Sequence, residues 1–164
     1  MSSKILFILH LPPPIHGAAM MGKYIQESEL VNSSFDCFCI NLATAGSLSD
    51  IGHISLKKLL KYFFLLKHIS HVVREIRPEL VYITPNAGGK AFFKDFIVVQ
   101  MLKSMGCKVI AHYHNKGVSV YQSKWVYNFF YKRFFSNLKV ILLAETLYKD
   151  IAKYVKREDV YICP

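Results

Sequence analysis

Short apolar runs alternate with longer amphipathic stretches along almost all of this 164-residue chain, and that alternation restricts the folds open to it. The apolar runs are typical of buried strands, while the amphipathic stretches have the period of helices. Strands that alternate with helices form parallel sheets, whose two faces are covered by the helices. We therefore predict an α/β fold with a doubly wound, mostly parallel sheet and helices on both faces.

The same pattern places the elements. The predicted strands are residues 4–9, 35–42, 80–84, 108–113, 139–144 and 160–163. The predicted helices are residues 18–30, 56–76, 91–105, 124–135 and 145–155, with a loop over residues 43–54, Ser55 as a helix cap and a loop from His114 to Val120. No linker or repeat interrupts the series, so residues 1–164 are predicted to form a single domain.

The net charge of +10 indicates an anionic partner, which could be nucleic acid, an acidic membrane surface or a phosphorylated ligand. No nucleic-acid-binding motif is present, so nucleic acid is the least favoured of the three. The start of the chain, "MSSK", lacks the basic leader of a signal peptide, and no apolar run reaches the ~20 residues of a membrane span, which predicts a cytoplasmic protein.

One predicted helix has both a basic and an apolar character. Its apolar stripe, predicted to face the core, starts at Leu56 and includes Phe63, and the opposite face carries Lys57, Lys61 and, among the polar residues, Phe64. A solvated basic face explains the lysines. An exposed phenylalanine among lysines also fits peripheral binding to an anionic membrane surface.

The stretch "LPPPIHGAAMMGKYI" connects the first predicted strand to the first helix. Ligands of open parallel sheets bind beyond the carboxyl ends of the strands, where helix N-termini present unpaired N–H groups. Gly17 and Ala18 have short side chains that would let a phosphate or sugar approach the backbone. The alternative is a stiff connection without a ligand.

Two histidines, His112 and His114, stand at the end of the fourth predicted strand, in "AHYHNKG". A histidine at this edge of the sheet could act as an acid or base, or donate a hydrogen bond to a phosphate or hydroxyl group. The alternative is one core histidine and one solvated loop histidine. No third ligand accompanies the pair, so no metal is expected.

Three stretches, in this order, carry a resemblance to a known family: "KILFILHLPPPIHGAAMMGKYI", "PELVYITPNAGGKAFFKDFIVVQMLKSMGCKVIAHYHNKG" and "KVILLAETLYKDI…VYICP". Together they resemble the N-terminal half of GT-B glycosyltransferases, most of all the retaining sugar-nucleotide enzymes often called family four. The resemblance implies a Rossmann-like, acceptor-side domain. It also implies that a C-terminal, donor-binding domain is absent from this chain, which alone would have little or no activity.

The resemblance also implies roles for particular residues. The loop with His16, Gly17 and Ala18 would lie against the donor diphosphate or the acceptor. His114, followed by Asn115, would be the active-site histidine, with His112 as its neighbour. The loop after the third strand would also face the cleft, through Asn86 and Gly88.

The implied function is the transfer of a sugar, with retention, from a nucleotide-sugar donor to a glycan or lipid-linked acceptor. The nucleotide sugar is a substrate in this scheme, and neither a cofactor nor a metal is expected. The implied partners are the sugar acceptor, an anionic membrane surface on the cytoplasmic side, the protein's own C-terminal domain and, as an open alternative, a second copy of the chain. The rival function is a non-catalytic, Rossmann-like binding or membrane-docking module.

Overall fold

A computed structural model of the protein describes residues 2–13, 15, 17–42 and 56–164. The described chain is α/β, and its strands form a six-stranded parallel sheet in the order β2-β1-β3-β4-β5-β6, numbered along the chain. The predicted fold class is confirmed, and the sheet is consistent with a Rossmann-like, doubly wound fold. The chain divides into two compact units, residues 1–84 and 85–164, which are described in turn. That the two make up a single domain stays a prediction.

The described residues of the first unit form three strands and three helices. In chain order they are β1 (Lys4–Leu9), α1 (Gly17–Glu27), α2 (Glu29–Ser34), β2 (Asp36–Asn41), α3 (Leu56–Ile76) and β3 (Leu80–Ile83). β1 lies between the other two strands and pairs in parallel with both, so that Phe7 is opposite Cys39 on one side and Tyr82 on the other. The predicted loop over residues 43–54 and the predicted cap at Ser55 lie outside the described residues.

β1 is covered on both of its faces. Successive side chains of a strand point to opposite faces, and all five residues from Ile5 to Leu9 are buried. Ile5, Phe7 and Leu9 form one core cluster, against which Ile25 of α1 packs. This double coverage explains why the strand is a continuous apolar run, without the alternation of a half-exposed strand.

The predicted helix over residues 18–30 is two helices, α1 and α2, and the prediction of one is wrong. The break falls at Ser28, whose backbone is extended and whose Oγ accepts a hydrogen bond from the Val31 N–H at 3.4 Å. A serine that binds the backbone three residues ahead begins a new helix. The helical spacing of apolar residues continues across the break, so the pattern did not reveal that a new helix begins after Ser28.

The sequence pattern also predicts the burial of the first turns of α3 wrongly. α3 has the predicted bounds, but its buried residues are Tyr62, Ile69 and Val73, while Leu56 and Phe63 of the predicted core stripe are exposed. An apolar stripe shows which residues share a side of a helix. It does not show how far along the helix the neighbouring elements extend.

The second unit also contains three strands, with four helices. In chain order they are α4 (Gly89–Ser104), β4 (Val109–Tyr113), α5 (Val118–Tyr121), α6 (Trp125–Phe135), β5 (Lys139–Leu142), α7 (Tyr148–Ile151) and β6 (Val160–Ile162). β5 pairs in parallel with β4 and with β6, and His112 lies opposite Ile141. Gly106, at a φ of 79°, ends α4 where the sequence predicted.

Two predictions for this unit need correction. The stretch from His114 to Val120, predicted as a loop, contains the start of the short helix α5. The helix predicted over residues 145–155 is instead a 3-10 turn at Glu145–Leu147 followed by the four-residue α7. The Asp150 carboxylate of α7 accepts hydrogen bonds from the first residues of α5, Val118 and Ser119.

Aromatic side chains fill the space between α4 and α6. The Phe92 ring lies 4.6 Å from that of Tyr131 and 5.5 Å from that of Phe134, measured between centroids, and all three residues are fully buried. Lys103 of α4 fastens the end of α6, because its Nζ donates hydrogen bonds to the Phe134 and Ser136 carbonyl oxygens at 2.6 and 2.5 Å. The aromatic segment of α6 is thus largely a core element.

Candidate functional site

The two histidines form a pair at the carboxyl end of β4. Their ring centroids are 4.1 Å apart and the ring planes make an angle of 37°. β4 ends at Tyr113, yet His114 still turns its ring to the side of His112. His112 is buried, as a core histidine would be, while His114 is half-buried against it and not fully solvated.

Burial keeps both imidazoles in the neutral form. Burial, together with a smaller contribution from repulsion by His114, lowers the pKa of His112 from 6.5 to about 4. Burial also lowers the pKa of His114. A neutral imidazole has one N–H donor and one acceptor nitrogen, so at neutral pH the pair offers hydrogen bonds and a base rather than positive charge.

The two ring nitrogens of His114 are buried polar atoms. Neither its Nδ1 nor its Nε2 has a hydrogen-bond partner among the described residues, and both atoms are out of reach of bulk solvent. A buried polar group without a partner costs about 1 to 3 kcal/mol. Most buried polar groups in proteins do have partners, so this exception indicates a place where a ligand or an ordered water completes the hydrogen bonds.

The loop that follows His114 is held in place by hydrogen bonds to a buried carboxylate. Asp150 Oδ2 accepts hydrogen bonds from the Gly117 and Val118 N–H groups, each at 2.9 Å. Its Oδ1 accepts from the Ser119 N–H at 3.0 Å and from the Ser119 Oγ–H at 2.5 Å. Asp150 thus receives four hydrogen bonds from three consecutive residues, which holds the loop between His114 and α5 in one conformation.

These hydrogen bonds also keep Asp150 ionised. Burial by itself raises the pKa of the Asp150 carboxyl, but the bonds from Ser119, Gly117 and Val118 together outweigh it, so that the pKa is lower than usual. A carboxylate that accepts several N–H bonds is stabilised in its charged form. The unit therefore contains a buried negative charge, on α7, against its loop after β4.

The loop after β3 is fastened in a similar way, by Asp95 of α4. Asp95 Oδ2 accepts hydrogen bonds from both the backbone N–H and the Nδ2 of Asn86, each at 2.8 Å. Burial raises the pKa of Asp95 to about 6, although the two bonds from Asn86 act against the rise. The Asn86 amide nitrogen, predicted from the resemblance to face a ligand, is thus engaged within the chain.

The loops after β3 and β4 lie side by side. A Cβ built on Gly117 would be 3.5 Å from the Cβ of Ala87, and the Ala87 carbonyl oxygen accepts a 2.5 Å hydrogen bond from the Tyr131 hydroxyl. Gly88, the next residue, lies against the ring of Tyr121, which stacks on Tyr127 at 4.7 Å. Gly88 is therefore required for packing, whatever contact it makes with a ligand.

We expect Gly88→Ala to destabilise the protein by about 1 to 3 kcal/mol, the usual cost of adding a methyl group where there is no room. A Cβ at this position would overlap the Tyr121 ring and push it off Tyr127. Gly17→Ala is the matched control, because no described atom lies within 4 Å of its Cβ position. Urea unfolding of the two variants and the wild type measures the difference, and equal stability of Gly88→Ala and wild type would contradict the packing role.

The remaining candidates belong to the first unit. His16 lies outside the described residues. Gly17, exposed, and Ala18, half-buried, are the first residues of α1. The close approach of α1 to the end of β1 falls instead at Gly22, where a Cβ would overlap the His10 carbonyl oxygen. In the described part of the chain the space beside Gly17 is open, as the approach of a ligand would require.

The sequence reading found the histidine pair but missed the two carboxylates that hold the neighbouring loops. Asp95 falls three residues after Phe92 and three before Val98, on the buried face of α4. A charged residue at a core position of a helical pattern was the signal that could have revealed it. Asp150, just before buried Ile151, carries the same signal. Asn115, predicted beside His114, is exposed in the loop that Asp150 holds.

Within the described ranges, no group of three or more histidine, cysteine, aspartate or glutamate side chains is arranged to bind a metal ion. Nor does any described helix have the length and apolar character needed to cross a membrane. Comparisons of the chain with protein-family models, with curated proteins and with solved structures find no match.

Proposed function

We propose that this chain is the acceptor-side domain of a retaining, GT-B type glycosyltransferase of the hexosyltransferase kind. The enzyme would move a sugar from a nucleotide-sugar donor to a glycan or lipid-linked acceptor at the cytoplasmic face of a membrane. Its donor-binding domain would be supplied by a C-terminal continuation. The observation that carries the proposal is His114, a half-buried histidine at the carboxyl end of a parallel strand, with both ring nitrogens unpartnered among the described residues.

The chemistry of the pair fits that role. A neutral imidazole can donate a hydrogen bond to a sugar hydroxyl or to a phosphate oxygen, and it does so without the strong attraction of a cation for free phosphate. Asp150 supports the loop beside His114, and Asp95 supports the adjacent loop through Asn86. Groups held in one geometry before the ligand arrives lower the cost of binding and reaction. His114 would thus be a ligand contact and not a covalent nucleophile.

We expect His114→Ala to lower the transfer rate of the natural polypeptide that contains this chain by about 100-fold, the usual loss for one preorganised hydrogen-bond donor. The polypeptide would be captured from its source cells with an antibody to this chain and assayed with radiolabelled nucleotide sugars and extracted lipid acceptors. The isolated 164-residue chain should show little or no turnover. His68→Ala, a change in an exposed histidine of α3, is the matched control and should keep full activity.

Two results of that assay would contradict the proposal. Full turnover by His114→Ala would contradict the proposed role of His114. The absence of transfer from every nucleotide sugar would contradict the transferase function itself. The second candidate, a non-catalytic membrane-docking module, would then be favoured. Its support is a separate surface of the first unit, at the start of α3.

A further inference from the structure

The first three turns of α3 expose an unusual concentration of large apolar side chains. The exposed fractions are 74% for Leu56, 60% for Leu59, 51% for Leu60, 51% for Phe63 and 64% for Phe64. Single exposed apolar residues are common on protein surfaces, but contiguous groups mark surfaces that bind something. These five residues, within nine positions of one helix, are called the α3 patch below.

The α3 patch is confined to the beginning of the helix. Residues of a helix advance by about 100° each, so the patch forms a stripe turned away from the buried Tyr62, Ile69 and Val73. The next residues on the same outward stripe are polar, namely Lys67, His71 and Arg74. The outward side of α3 therefore changes from apolar to polar after Phe64. The exposed apolar residues are thus a local surface and not a general property of the helix.

Among the described residues of α3, the charged side chains next to the α3 patch are all positive. Lys57 and Lys61 are exposed beside it, and the Lys67 Nζ lies 4.7 Å from the centroid of the Phe63 ring. The first acidic residue of α3 is Glu75, close to the end of the helix, and it lies 3.6 Å from His71. Leucine and phenylalanine flanked by lysine, without acidic residues, is the composition of helices that lie in the interface of an anionic membrane.

We propose that the α3 patch docks the chain onto an anionic phospholipid bilayer. The leucine and phenylalanine side chains would enter the boundary between headgroups and acyl chains, and Lys57, Lys61 and Lys67 would face the phosphates. Charge complementarity is the reason for a lipid occupant, since the chain carries a net charge of +10 and the charged residues of α3 beside the patch, in the part of the chain that the structure describes, are lysines. The inference rests on the proposed function only for its biological purpose, which is access to a lipid-linked acceptor.

Vesicle flotation tests the docking directly. We expect the chain to float with vesicles of phosphatidylglycerol and phosphatidylcholine at low salt, and to float poorly with phosphatidylcholine alone. Replacing both Phe63 and Phe64 with serine should weaken binding about tenfold, because interfacial binding scales with the apolar area inserted. Changing Lys57 and Lys61 to glutamate should weaken it by at least a similar factor and reduce its salt dependence.

A matched control is available on another exposed aromatic pair. Trp125 and Phe129 of α6 are 80% and 48% exposed, and replacing both with serine should leave vesicle binding unchanged. All of these variants change exposed side chains, and far-ultraviolet circular dichroism checks that they fold.

Three outcomes would overturn the docking proposal: no flotation of the wild type with anionic vesicles, undiminished flotation of the Phe63/Phe64 variant, or a dimer in sedimentation that this variant dissociates while vesicles stay unbound. The assay contains no nucleotide sugar, so a failure here leaves the transferase proposal standing. Vesicle binding without sugar transfer would contradict only the transferase proposal.

Discussion

Asp150→Ala is expected to destabilise the second unit by about 4 kcal/mol, a loss large enough to compromise folding of a protein with ordinary stability. The change removes the acceptor of four hydrogen bonds, from the N–H groups of Gly117, Val118 and Ser119 and from the Ser119 hydroxyl. Gly117 and Val118 are buried, so water cannot easily replace the lost acceptor. The unpaired donors, and not merely the lost bonds, account for most of the expected effect.

Urea unfolding of three proteins measures this effect. Asp150→Asn keeps the shape and one acceptor oxygen but turns an NH₂ group towards N–H donors, so it should fall between Asp150→Ala and wild type. Asp36→Ala, a change in an exposed aspartate of β2, is the control and should alter the free energy of unfolding by less than about 0.5 kcal/mol. If Asp150→Ala were as stable as the Asp36→Ala control, the loop after β4 would not depend on Asp150.

The second large effect concerns pH, because His112 and Asp95 respond to acid in opposite directions. The pKa of His112 falls from 6.5 to about 4 on folding, so between these pH values the unfolded chain binds the proton more readily. Acidification through this window therefore destabilises the protein, by about 2 to 3 kcal/mol for His112. The pKa of Asp95 rises from 3.8 to about 6, so the folded chain binds that proton more readily and acidification stabilises it.

Single variants separate the two contributions. His112→Asn should lose less stability than wild type as the pH falls from 6.5 to 4, since the contribution of His112 is removed while those of His114 and Asp95 remain. Asp95→Asn should lose more than wild type over the same range. The measurement is urea unfolding at a series of pH values, with His68→Asn as an exposed control. Parallel profiles for wild type and His112→Asn would contradict a buried, neutral His112.

The parallel sheet could be predicted because burial on both faces leaves a direct trace in the sequence. A strand such as β1, with five consecutive buried residues, must be a continuous apolar run, and the runs at Val109–Tyr113 and Lys139–Leu142 have the same origin. Helix ends were predictable where a single residue ends a helix, as Gly106 does with its positive φ. These features depend on a single residue or on the local pattern of apolar residues, and both can be read directly from the sequence.

Features that depend on distant partners could not be read in the same way. The carboxylate of Asp150 binds residues more than thirty positions earlier, and the sequence around Asp150 does not identify those residues. The need for Gly88 arises from Tyr121, and the need for Gly22 from His10. The exposed start of α3 was assigned to the core because a helical stripe does not reveal which of its turns meet a neighbour.

In the candidate site, too, some features could be predicted from the sequence and others could not. The position of His112 and His114 at the end of a parallel strand follows from the strand pattern. Their mutual contact, the neutral state of the rings and the unpartnered nitrogens of His114 follow only from the folded structure.

The most direct test is a titration of the ¹⁵N-labelled natural polypeptide that contains this chain with nucleotide sugars, followed through the histidine side-chain and backbone amide signals. We expect the His114 ring signals to move in a saturable way, together with the amides of Asn115 and Gly88, while those of exposed His68 and His71 stay fixed. That result would place the ligand at the carboxyl end of β4. Unchanged His114 signals at saturating nucleotide sugar, or shifts confined to the exposed histidines, would contradict a ligand site there.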